Sequence, residues 1–329
     1  MILPARDAAG TLAAALESCL AQTFGDFELI AVDDQSADGT GAVLGRIAAR
    51  DRRVRVEKTV PPGGIVAALQ LGCATASAPL LARMDADDVA LPERLARQVA
   101  AMEAHPEWAV CGCGVRIAGG GAGFRRYERW LNSLTDPAQI AAERFVESPV
   151  AHPSAMIRRQ ALDAIGGYRD PPWAEDYDLW LRLLDGGRLI GKIPETLLVW
   201  RDHGSRLTRA DRRYSAARFL AAKAHFLARL PAAKAGGVRI CGAGPTGKRL
   251  ARLLRREGIA VAAFYDINPR RIGEVIMGIP VLGADGFPAL HPQGGLLIGA
   301  AGTLGARQRL RELAASRGFA EGVDFFCVK

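Results

Sequence analysis

The feature that most constrains the fold is an alternation of short apolar segments with amphipathic segments through the first 95 residues. Short strands are predicted within residues 1–7 and at 28–32, 54–57 and 79–82, and helices at 10–22, 41–50 and 65–76. Apolar residues in the helical segments recur every three or four positions, the period of a helix with one buried face. This alternation predicts an α/β fold in which a mostly parallel sheet carries helices on both faces.

Charged residues stand at the carboxyl ends of the predicted strands. They are Arg6, Asp7, Asp33, Asp34, Asp85, Asp87 and Asp88. Parallel α/β sheets bind ligands at the carboxyl ends of their strands, so we expect these side chains to converge on one crevice. Asp33 and Asp34 are expected to contact a base or a ribose there. The alternative is an Asx-type turn that leads into the next helix.

The densest group of acids lies in the segment LLARMDADDVALPERL, residues 80–95, where Asp85, Asp87 and Asp88 follow an apolar run. Carboxylates packed this closely repel and raise one another's pKa, and a divalent cation relieves the repulsion. Carboxylate oxygens on a loop suit Mg²⁺ or Mn²⁺, with phosphate oxygens of a substrate completing the coordination. The alternative is an acidic turn before the following helix, whose dipole favours Asp88 near its N-terminus.

A second acidic group, Glu175 and Asp176, precedes an apolar-periodic helix predicted at 177–184. A carboxylate directed at a hydroxyl acts as a general base and contributes about 10²–10⁴-fold to the rate. The alternative is favourable placement at a helix N-terminus, worth about 0.3–1 kcal/mol.

Further strands are predicted at 150–157 and 196–200. After the second of them, His203 lies in an arginine-bearing loop, where it is either a structural residue or a ligand of a metal or a diphosphate.

Composition restricts the partners. The 329 residues carry a formal net charge of +8, which favours nucleotide diphosphates, lipid phosphates or a membrane surface. The basic and aromatic segment 125–130 contacts an acceptor or a membrane surface, or is a solvated helix face. No aromatic-basic motif indicates nucleic acid, so no nucleic-acid partner is expected.

Length and cysteine use bear on location. No apolar run reaches the roughly 20 residues of a membrane-spanning helix, and no secretory leader is evident. Six cysteines in a chain of this size imply no disulfide framework. A cytoplasmic location is therefore expected, with peripheral contact at the inner membrane face as an extension of the same interpretation.

A separate module is predicted from residue 237 onward. Gly242, Gly244 and Gly247 form a G-x-G-x-x-G pattern between a strand and a helix, and Asp266 ends the next strand. Such glycines allow a phosphate to approach the helix N-terminus closely, so the module is expected to bind a nucleotide or an NAD-like ligand. The alternative is a nucleotide-binding-type fold used for docking. The predicted domains are 1–210, a helical linker 211–236, and a smaller Rossmann-like α/β domain 237–329.

Several strings occur together in the order found in a known enzyme family. They are ILPARDAAGTLAAALES, FELIAVDDQSADGT, LLARMDADDVALPERLARQVA, AHPSAMIRRQAL, GGYRD and AEDYDLWLRLL. Through these strings, which cover about residues 1–210, the chain resembles family 2 glycosyltransferases of bacterial surface-polysaccharide assembly. The resemblance implies a GT-A fold and inverting transfer of a sugar from a nucleotide-activated donor to a hydroxyl of a carbohydrate or lipid-linked acceptor.

The resemblance also implies roles for individual residues. Donor binding falls to Pro4, Arg6, Asp33, Asp34, Arg83, Asp85 and Asp87. Asp87, Asp88 and His203 are implied to hold Mn²⁺ or Mg²⁺. Asp176 is implied to be the catalytic base, with Glu175 beside it.

The chain departs from the family pattern at two places. Gln70 stands where relatives often have Asn, which leaves the donor open. Almost nothing precedes Ile2, whereas relatives carry a few more residues, so an earlier start of the chain is implied. The C-terminal module resembles the nucleotide-binding-like domains found ahead of sugar acyltransferases, through GAGPTG, YDIN and IPVLG.

Three other functions compete with glycosyl transfer. A sugar-1-phosphate nucleotidyltransferase shares the order of elements and the metal motif, but it needs a basic, glycine-rich loop after the first strand, for which ARDAAGT is too poor. A catalytically silent nucleotide-binding or scaffold protein would have no use for both acidic groups. An NAD-dependent oxidoreductase would need a substrate domain after the C-terminal module.

Overall fold

The computed structural model describes residues 1–204, 206–283, 286–287, 289, 295–303 and 305–329, and the chain forms two compact units. The first unit comprises Met1–Ile140, Pro149–Pro171 and Glu175–Asp211. The second comprises Ala141–Ser148, Pro172–Ala174 and Arg212–Lys329. Two short segments from the middle of the chain therefore belong to the second unit.

The N-terminal part of the first unit is a parallel sheet with helices between its strands. Its strands are β1 (Ile2–Ala5), β2 (Leu29–Asp33) and β3 (Val54–Lys58), and its helices are α1 (Leu12–Leu20), α2 (Thr40–Ala48) and α3 (Ile65–Thr75). The order is β1-β2-β3, with Ala5 beside Asp33 and Asp33 beside Lys58. The predicted parallel sheet is confirmed here, and the carboxyl ends of its strands meet at one edge.

Both faces of this sheet are buried at β1 and β2, because alternate strand residues point to opposite sides and a helix packs on each side. Leu3 and Ala31 belong to the hydrophobic cluster that contains Leu12 of α1. Ile2 and Ile30 belong to the cluster that contains residues of α3. The near-continuous apolar composition of β1 and β2 follows from this two-sided burial.

A second sheet completes the first unit. Its strands are β4 (Leu80–Ala82), β5 (Val89–Ala90), β6 (Trp108–Ala118), β7 (Met156–Arg158) and β8 (Leu189–Arg201), in the order β4-β7-β6-β8-β5. Only the β6–β8 pair is parallel among these described strands. The parallel pairing expected for β4 is limited to a bridge between Ile2 and Arg83, with Met84 N donating to Ile2 O at 3.0 Å. This bridge places the segment after β4 beside β1.

Helices and one turn differ from their predicted positions. The remaining helices of this part of the chain are α4 (Arg94–Ala104), α5 (Ala122–Ser133), α6 (Pro137–Glu143), α7 (Arg159–Ala164), α8 (Glu175–Asp185) and α9 (Leu207–Ala210). The strand predicted at 150–157 is wrong over residues 150–155, where His152–Ser154 is a 3₁₀ turn, and only its last two residues lie in β7. Pro153 has no N–H to donate to a sheet and its fixed φ favours a turn. Helix α8 begins at Glu175, so both acids lie in its first turn.

The second unit is built on another largely parallel sheet. Its strands are β9 (Val238–Cys241), β10 (Val261–Tyr265), β11 (Val275–Ile276), β12 (Ile279–Leu282), β13 (Leu296–Gly299) and β14 (Phe325–Cys327), in the order β11-β12-β10-β9-β13-β14. Its helices include α10 (Ala216–Arg229), α11 (Pro231–Gly236), α12 (Pro245–Arg256) and α13 (Ala306–Ser316). Only β11 pairs antiparallel in the described part of this sheet. The strand order places a topological switch point between β9 and β13.

The segment 211–236 lies almost entirely in this second unit, where α10 and α11 occupy it. The division of the chain into domains 1–210, 211–236 and 237–329 stays a prediction. No helix in the described ranges is both long and apolar enough to cross a membrane.

Candidate active site

The carboxyl ends of β1 and β2 carry Arg6, Asp33 and Asp34. Asp33 Oδ1 accepts a hydrogen bond from Ser36 N at 3.0 Å, which is the Asx-type turn considered from the sequence. Asp34 Oδ1 accepts from Thr59 Oγ1 and from Gly64 N, both at 2.8 Å. Arg6 Nη1 lies 3.5 Å from Asp34 Oδ2. The two buried aspartates thus order the loops that border this end of the sheet, next to Pro4 in β1.

One glycine in this border has no substitute. Gly63 has φ of +68°, and a Cβ there would lie 2.4 Å from Asp34 Oδ1 and 2.2 Å from Gln35 Nε2. Only glycine adopts this backbone while leaving the Asp34 carboxylate in place.

The acidic loop after β4 gathers its three aspartates at one point. One carboxylate oxygen from each of Asp85, Asp87 and Asp88 lies within 4.8 Å of the other two. Asp85 is paired with the buried guanidinium of Arg83. Asp87 Oδ2 lies 2.8 Å from His203 Nε2. Asp88 is fully buried, and its Oδ1 accepts from Arg201 N at 2.9 Å.

A buried arginine that the sequence analysis did not select holds these carboxylates together. Arg206 Nη2 lies 2.7 Å from Asp85 Oδ2, and Arg206 Nη1 lies 2.9 Å from Asp88 Oδ1 and 3.4 Å from Asp87 Oδ2. Its guanidinium also lies over the ring of Trp200, 5.0 Å from the ring centroid. Arg206 therefore supplies the positive charge that keeps three neighbouring acids in one place.

The three aspartates differ in their electrostatic surroundings. Burial raises the pKa of Asp85, but the charges of Arg83 and Arg206 outweigh it and hold the pKa at about 2. Burial and then the negative charge of Asp85 raise the pKa of Asp88 to about 7, against the hydrogen bond from Arg206. Asp85 is therefore ionised at neutral pH, whereas repulsion from it contributes to the raised pKa of the buried Asp88.

The donor set fits a hard divalent cation. Carboxylate oxygens are the ligands that Mn²⁺ and Mg²⁺ prefer. Asp87 and His203 already face each other, and both are partly exposed. Asp88 offers fewer free lone pairs, because Arg201 N and Arg206 bind its oxygens.

The second acidic group lies in the first turn of α8. Burial and then the neighbouring Glu175 carboxylate raise the pKa of Asp176 to about 8. Asp176 Oδ1 accepts from Tyr177 N at 2.7 Å, which partly opposes that rise. Beyond these causes, the charges of Arg83 and Asp85 also act on the pKa of Asp176. The two acidic groups are therefore electrostatically connected, with Arg83 acting on both.

A buried histidine and tyrosine, also missed from the sequence, stand behind Glu175. His152 Nε2 lies 2.8 Å from the Tyr168 hydroxyl, and His152 Nδ1 lies 4.0 Å from Glu175 Oε1. Burial and then Arg83 hold the pKa of His152 well below its ordinary value, so its imidazole is neutral. Gln70 Nε2 donates to Tyr168 O at 2.9 Å. The strings AHPS and GGYRD contain these residues, but neither string shows that they meet.

The glycine pattern of the second unit forms a loop between β9 and α12. A Cβ at Gly247 would lie 2.0 Å from Gly242 O, so the last glycine permits the helix to pack on the loop. Gly242 has φ of +113°. Asp266 Oδ2 accepts from Ala243 N at 2.9 Å and pairs with Arg271 Nη1 at 3.0 Å. The predicted acid thus meets the glycine loop, and ligand binding there stays a prediction.

Comparison with known proteins settles the family. The family model described as Glycosyl transferase family 2 matches residues 1–166, half of the chain. The chain belongs to this family. The resemblance of the N-terminal part to family 2 glycosyltransferases is therefore confirmed, and the family is one of glycosyltransferases rather than nucleotidyltransferases.

Individual relatives are of moderate similarity. EpsE of Bacillus subtilis (strain 168), named as a glycosyltransferase, is 32% identical over 62% of this chain and 73% of its own length. The amylovoran biosynthesis glycosyltransferase AmsE of Erwinia amylovora is 33% identical over 41% of this chain and 49% of its own. The O-antigen biosynthesis glycosyltransferase WbnJ of Escherichia coli is 30% identical over 57% and 73%.

Solved structures show the fold. TarS 1–349 of S. aureus, in complex with UDP-GlcNAc, superposes with a TM-score of 0.55 at 16% identity over 78% of this chain and 71% of that chain. The mannosyltransferase PcManGT from Pyrobaculum calidifontis, in complex with GDP-Man and Mn²⁺, gives 0.51 at 18% identity over 78% and 72%. These similarities confirm the predicted α/β class and the GT-A fold of the family 2 domain.

Proposed function

We propose that this glycosyltransferase is an inverting, metal-dependent enzyme that moves a sugar from a nucleoside diphosphate donor to a hydroxyl acceptor. The observation that carries the proposal is the cluster of three aspartates, in which one carboxylate oxygen of each lies within 4.8 Å of the other two, in a chain that belongs to a glycosyltransferase family. Asp85, paired with Arg83, belongs to the cluster suited to a cation, and the charge of Arg83 also acts on Asp176. A cation site and a carboxyl group of raised pKa are the two groups that direct displacement of a diphosphate by an alcohol needs.

The donor is proposed to be a nucleotide sugar. TarS was solved with UDP-GlcNAc, and PcManGT with GDP-Man and Mn²⁺, which supports this donor class here. The donor-binding residues are proposed to be Pro4, Arg6, Asp33, Asp34, Arg83, Asp85 and Asp87. Asp33 and Asp34 are assigned to the nucleoside because they border the carboxyl ends of β1 and β2.

In the proposed reaction, Asp176 accepts the proton of the acceptor hydroxyl while that oxygen forms its bond to the anomeric carbon. The bond from the anomeric carbon to the diphosphate oxygen breaks, and the nucleoside diphosphate leaves from the opposite face of the sugar. Asp87, Asp88 and His203 would hold a Mn²⁺ or Mg²⁺ ion, which would supply positive charge to the leaving diphosphate. Arg206 keeps Asp85 and Asp88 in place, and Glu175 raises the proton affinity of Asp176.

The setting is proposed to be assembly of a surface polysaccharide or glycoconjugate. AmsE and WbnJ are named for amylovoran and O-antigen biosynthesis, respectively. The acceptor is accordingly proposed to be a carbohydrate or a lipid-linked carbohydrate, met at the cytoplasmic face of the membrane.

The base is tested by Asp176→Asn. Asparagine keeps the shape of the side chain but cannot take a proton at neutral pH, so transfer is expected to fall by about 10²–10⁴-fold. Binding of the nucleotide, measured by calorimetry against UDP, GDP, dTDP and CMP, should stay within a few-fold. Asp26→Asn, at an exposed aspartate, is the control and should leave both quantities unchanged. An equal loss of binding and transfer in Asp176→Asn would remove the base role.

The metal is tested by chelation. Transfer is expected to stop in EDTA and to return with Mn²⁺ or Mg²⁺. His203→Ala should raise the concentration of Mn²⁺ required for half-maximal activity, because one of the proposed ligands is lost. Full activity in excess chelator would contradict metal dependence.

A further inference from the structure

Helix α5 carries an arginine face that the proposed chemistry does not use. Arg125, Arg126 and Arg129 are exposed, and at 3.6 residues per turn they lie on one side of the helix. No carboxylate in the described part of the chain pairs with any of the three. Ala122 and Ser133 share that side, so it has no negative charge of its own.

The opposite side of α5 is fixed to the first unit. Leu131 is buried, and Glu128 Oε2 accepts from Ile117 N at 2.6 Å. Asn132 binds both the N–H and the carbonyl of Val115, at 2.9 and 2.7 Å. The acid of this helix is therefore turned toward β6, and the arginines are held outward on a rigid element.

The fixed side of α5 also adjoins the loop that carries Arg206. Tyr127 packs against Trp200 with ring centroids 6.1 Å apart, and Arg206 lies over the same Trp200 ring. Arg209, in α9 just after that loop, lies over Phe124, 5.1 Å from the ring centroid. Whatever the arginine face binds is consequently brought close to the loop that closes the acidic cluster.

We propose that the arginine face of α5 docks the enzyme on an anionic lipid bilayer. The three side chains extend from about one turn of helix and spread outward, whereas a single small anion is best held by groups that converge. A row of outward cations matches a plane of anionic headgroups. A second copy of the chain would present the same positive face and be repelled.

The test is sedimentation of the full chain with vesicles, without donor or acceptor, so its result does not depend on the proposed reaction. Vesicles of phosphatidylcholine are compared with vesicles that also contain phosphatidylglycerol, at about 0.1 M salt, where charges interact over about 10 Å. The wild-type chain should bind only the second kind. The triple variant R125Q/R126Q/R129Q should lose about fivefold in partitioning per arginine, or roughly 100-fold in all.

Matched variants separate the surface from net charge. R46Q/R50Q/R52Q removes three exposed arginines elsewhere in the first unit and should keep most of the binding. R125K/R126K/R129K keeps the charge and should bind like the wild type. Equal loss in both glutamine triples, binding retained by R125Q/R126Q/R129Q, or equal binding of the wild type to both vesicles would each overturn the proposal. If the glutamine triple misfolds, R125K/R126K/R129K remains a test, because it preserves both the helix and the charge. Failure of the folded lysine triple to bind would count against a bilayer partner.

Discussion

Two opposing effects act on the pKa of Asp176. The N-terminus of α8 favours a negative charge by about 0.3–1 kcal/mol. Burial and the Glu175 carboxylate act in the other direction and raise the pKa from 3.8 to about 8. Since one pKa unit corresponds to about 1.4 kcal/mol, the unfavourable effects are the larger. The first turn of this helix is thus arranged to hold a carboxyl group that binds a proton readily.

This balance predicts the pH dependence of transfer. The base acts in its ionised form, so kcat/KM should rise with pH around a midpoint of about 8. Glu175→Gln removes the neighbouring negative charge and should move the midpoint to lower pH. Rates measured at several pH values with saturating Mn²⁺ test this, with Asp26→Asn as the unchanged control. An identical midpoint in Glu175→Gln would show that the two carboxyl groups do not interact.

The loop after β8 depends on Arg206. Arg206 is almost fully buried among three acids, whereas Arg209, in α9, is 42% exposed and pairs with Asp202. Removing one partner of a buried ionic group leaves charge without compensation and costs about 3–5 kcal/mol, while an exposed pair contributes about 0–1 kcal/mol. The two arginines are therefore a matched comparison.

Arg206→Met should lower Tm well below that of Arg209→Met. Mn²⁺ should raise the Tm of Arg206→Met more than that of the wild type, because a cation replaces the lost positive charge between Asp85 and Asp88. Thermal unfolding with and without Mn²⁺ measures both effects. If the two variants were equally stable, Arg206 would not be what holds the acidic cluster.

Sequence reasoning succeeded where the structure is local and failed where it is not. The alternation of strands and helices up to Asp88 has a short period, so β1 to β4 and the acids that follow them were predictable. Arg206 was not, because its partners Asp88 and Asp85 are 118 and 121 residues away along the chain. The turn at His152–Ser154 is hard to tell from a strand in the sequence, because its flanking residues are apolar and buried and only Pro153 disfavours a strand.

The two compact units are not consecutive pieces of sequence. Phe145, from the middle of the chain, packs edge-on against Phe326 within the second unit, 5.1 Å between ring centroids. Lys223 Nζ donates to Val146 O at 2.8 Å and to Val328 O at 3.2 Å. Ala141–Ser148 is only eight residues long, so its hydrophobic periodicity cannot show that it belongs to the second unit.

The second unit is predicted to be dispensable for the chemistry. Gly244 has ordinary backbone angles, and the one atom of the described residues within 4 Å of a Cβ placed there is Arg271 Nη1, at 3.8 Å. Gly244→Trp should therefore fold, fill the approach to the N-terminus of α12 and block any nucleotide or NAD-like ligand there. Transfer should remain at the wild-type rate, measured beside Asp176→Asn as the inactive reference. A large loss of transfer in Gly244→Trp would give this unit a direct part in catalysis.

Because Ala141–Ser148 belongs to the second unit, the first unit cannot be isolated by a single cut in the chain. A fragment ending near residue 210 would keep Phe145 and Val146. It would lose the Phe326 ring against which Phe145 packs and the Lys223 ammonium that donates to Val146 O. Such a fragment would expose the apolar side chains of Phe145 and Val146 and would tend to aggregate. A stable truncation has to be changed at two places, at its new C-terminus and within residues 141–148. There, polar residues in place of Phe145 and Val146 would remove the apolar surface that the second unit covers in the full chain.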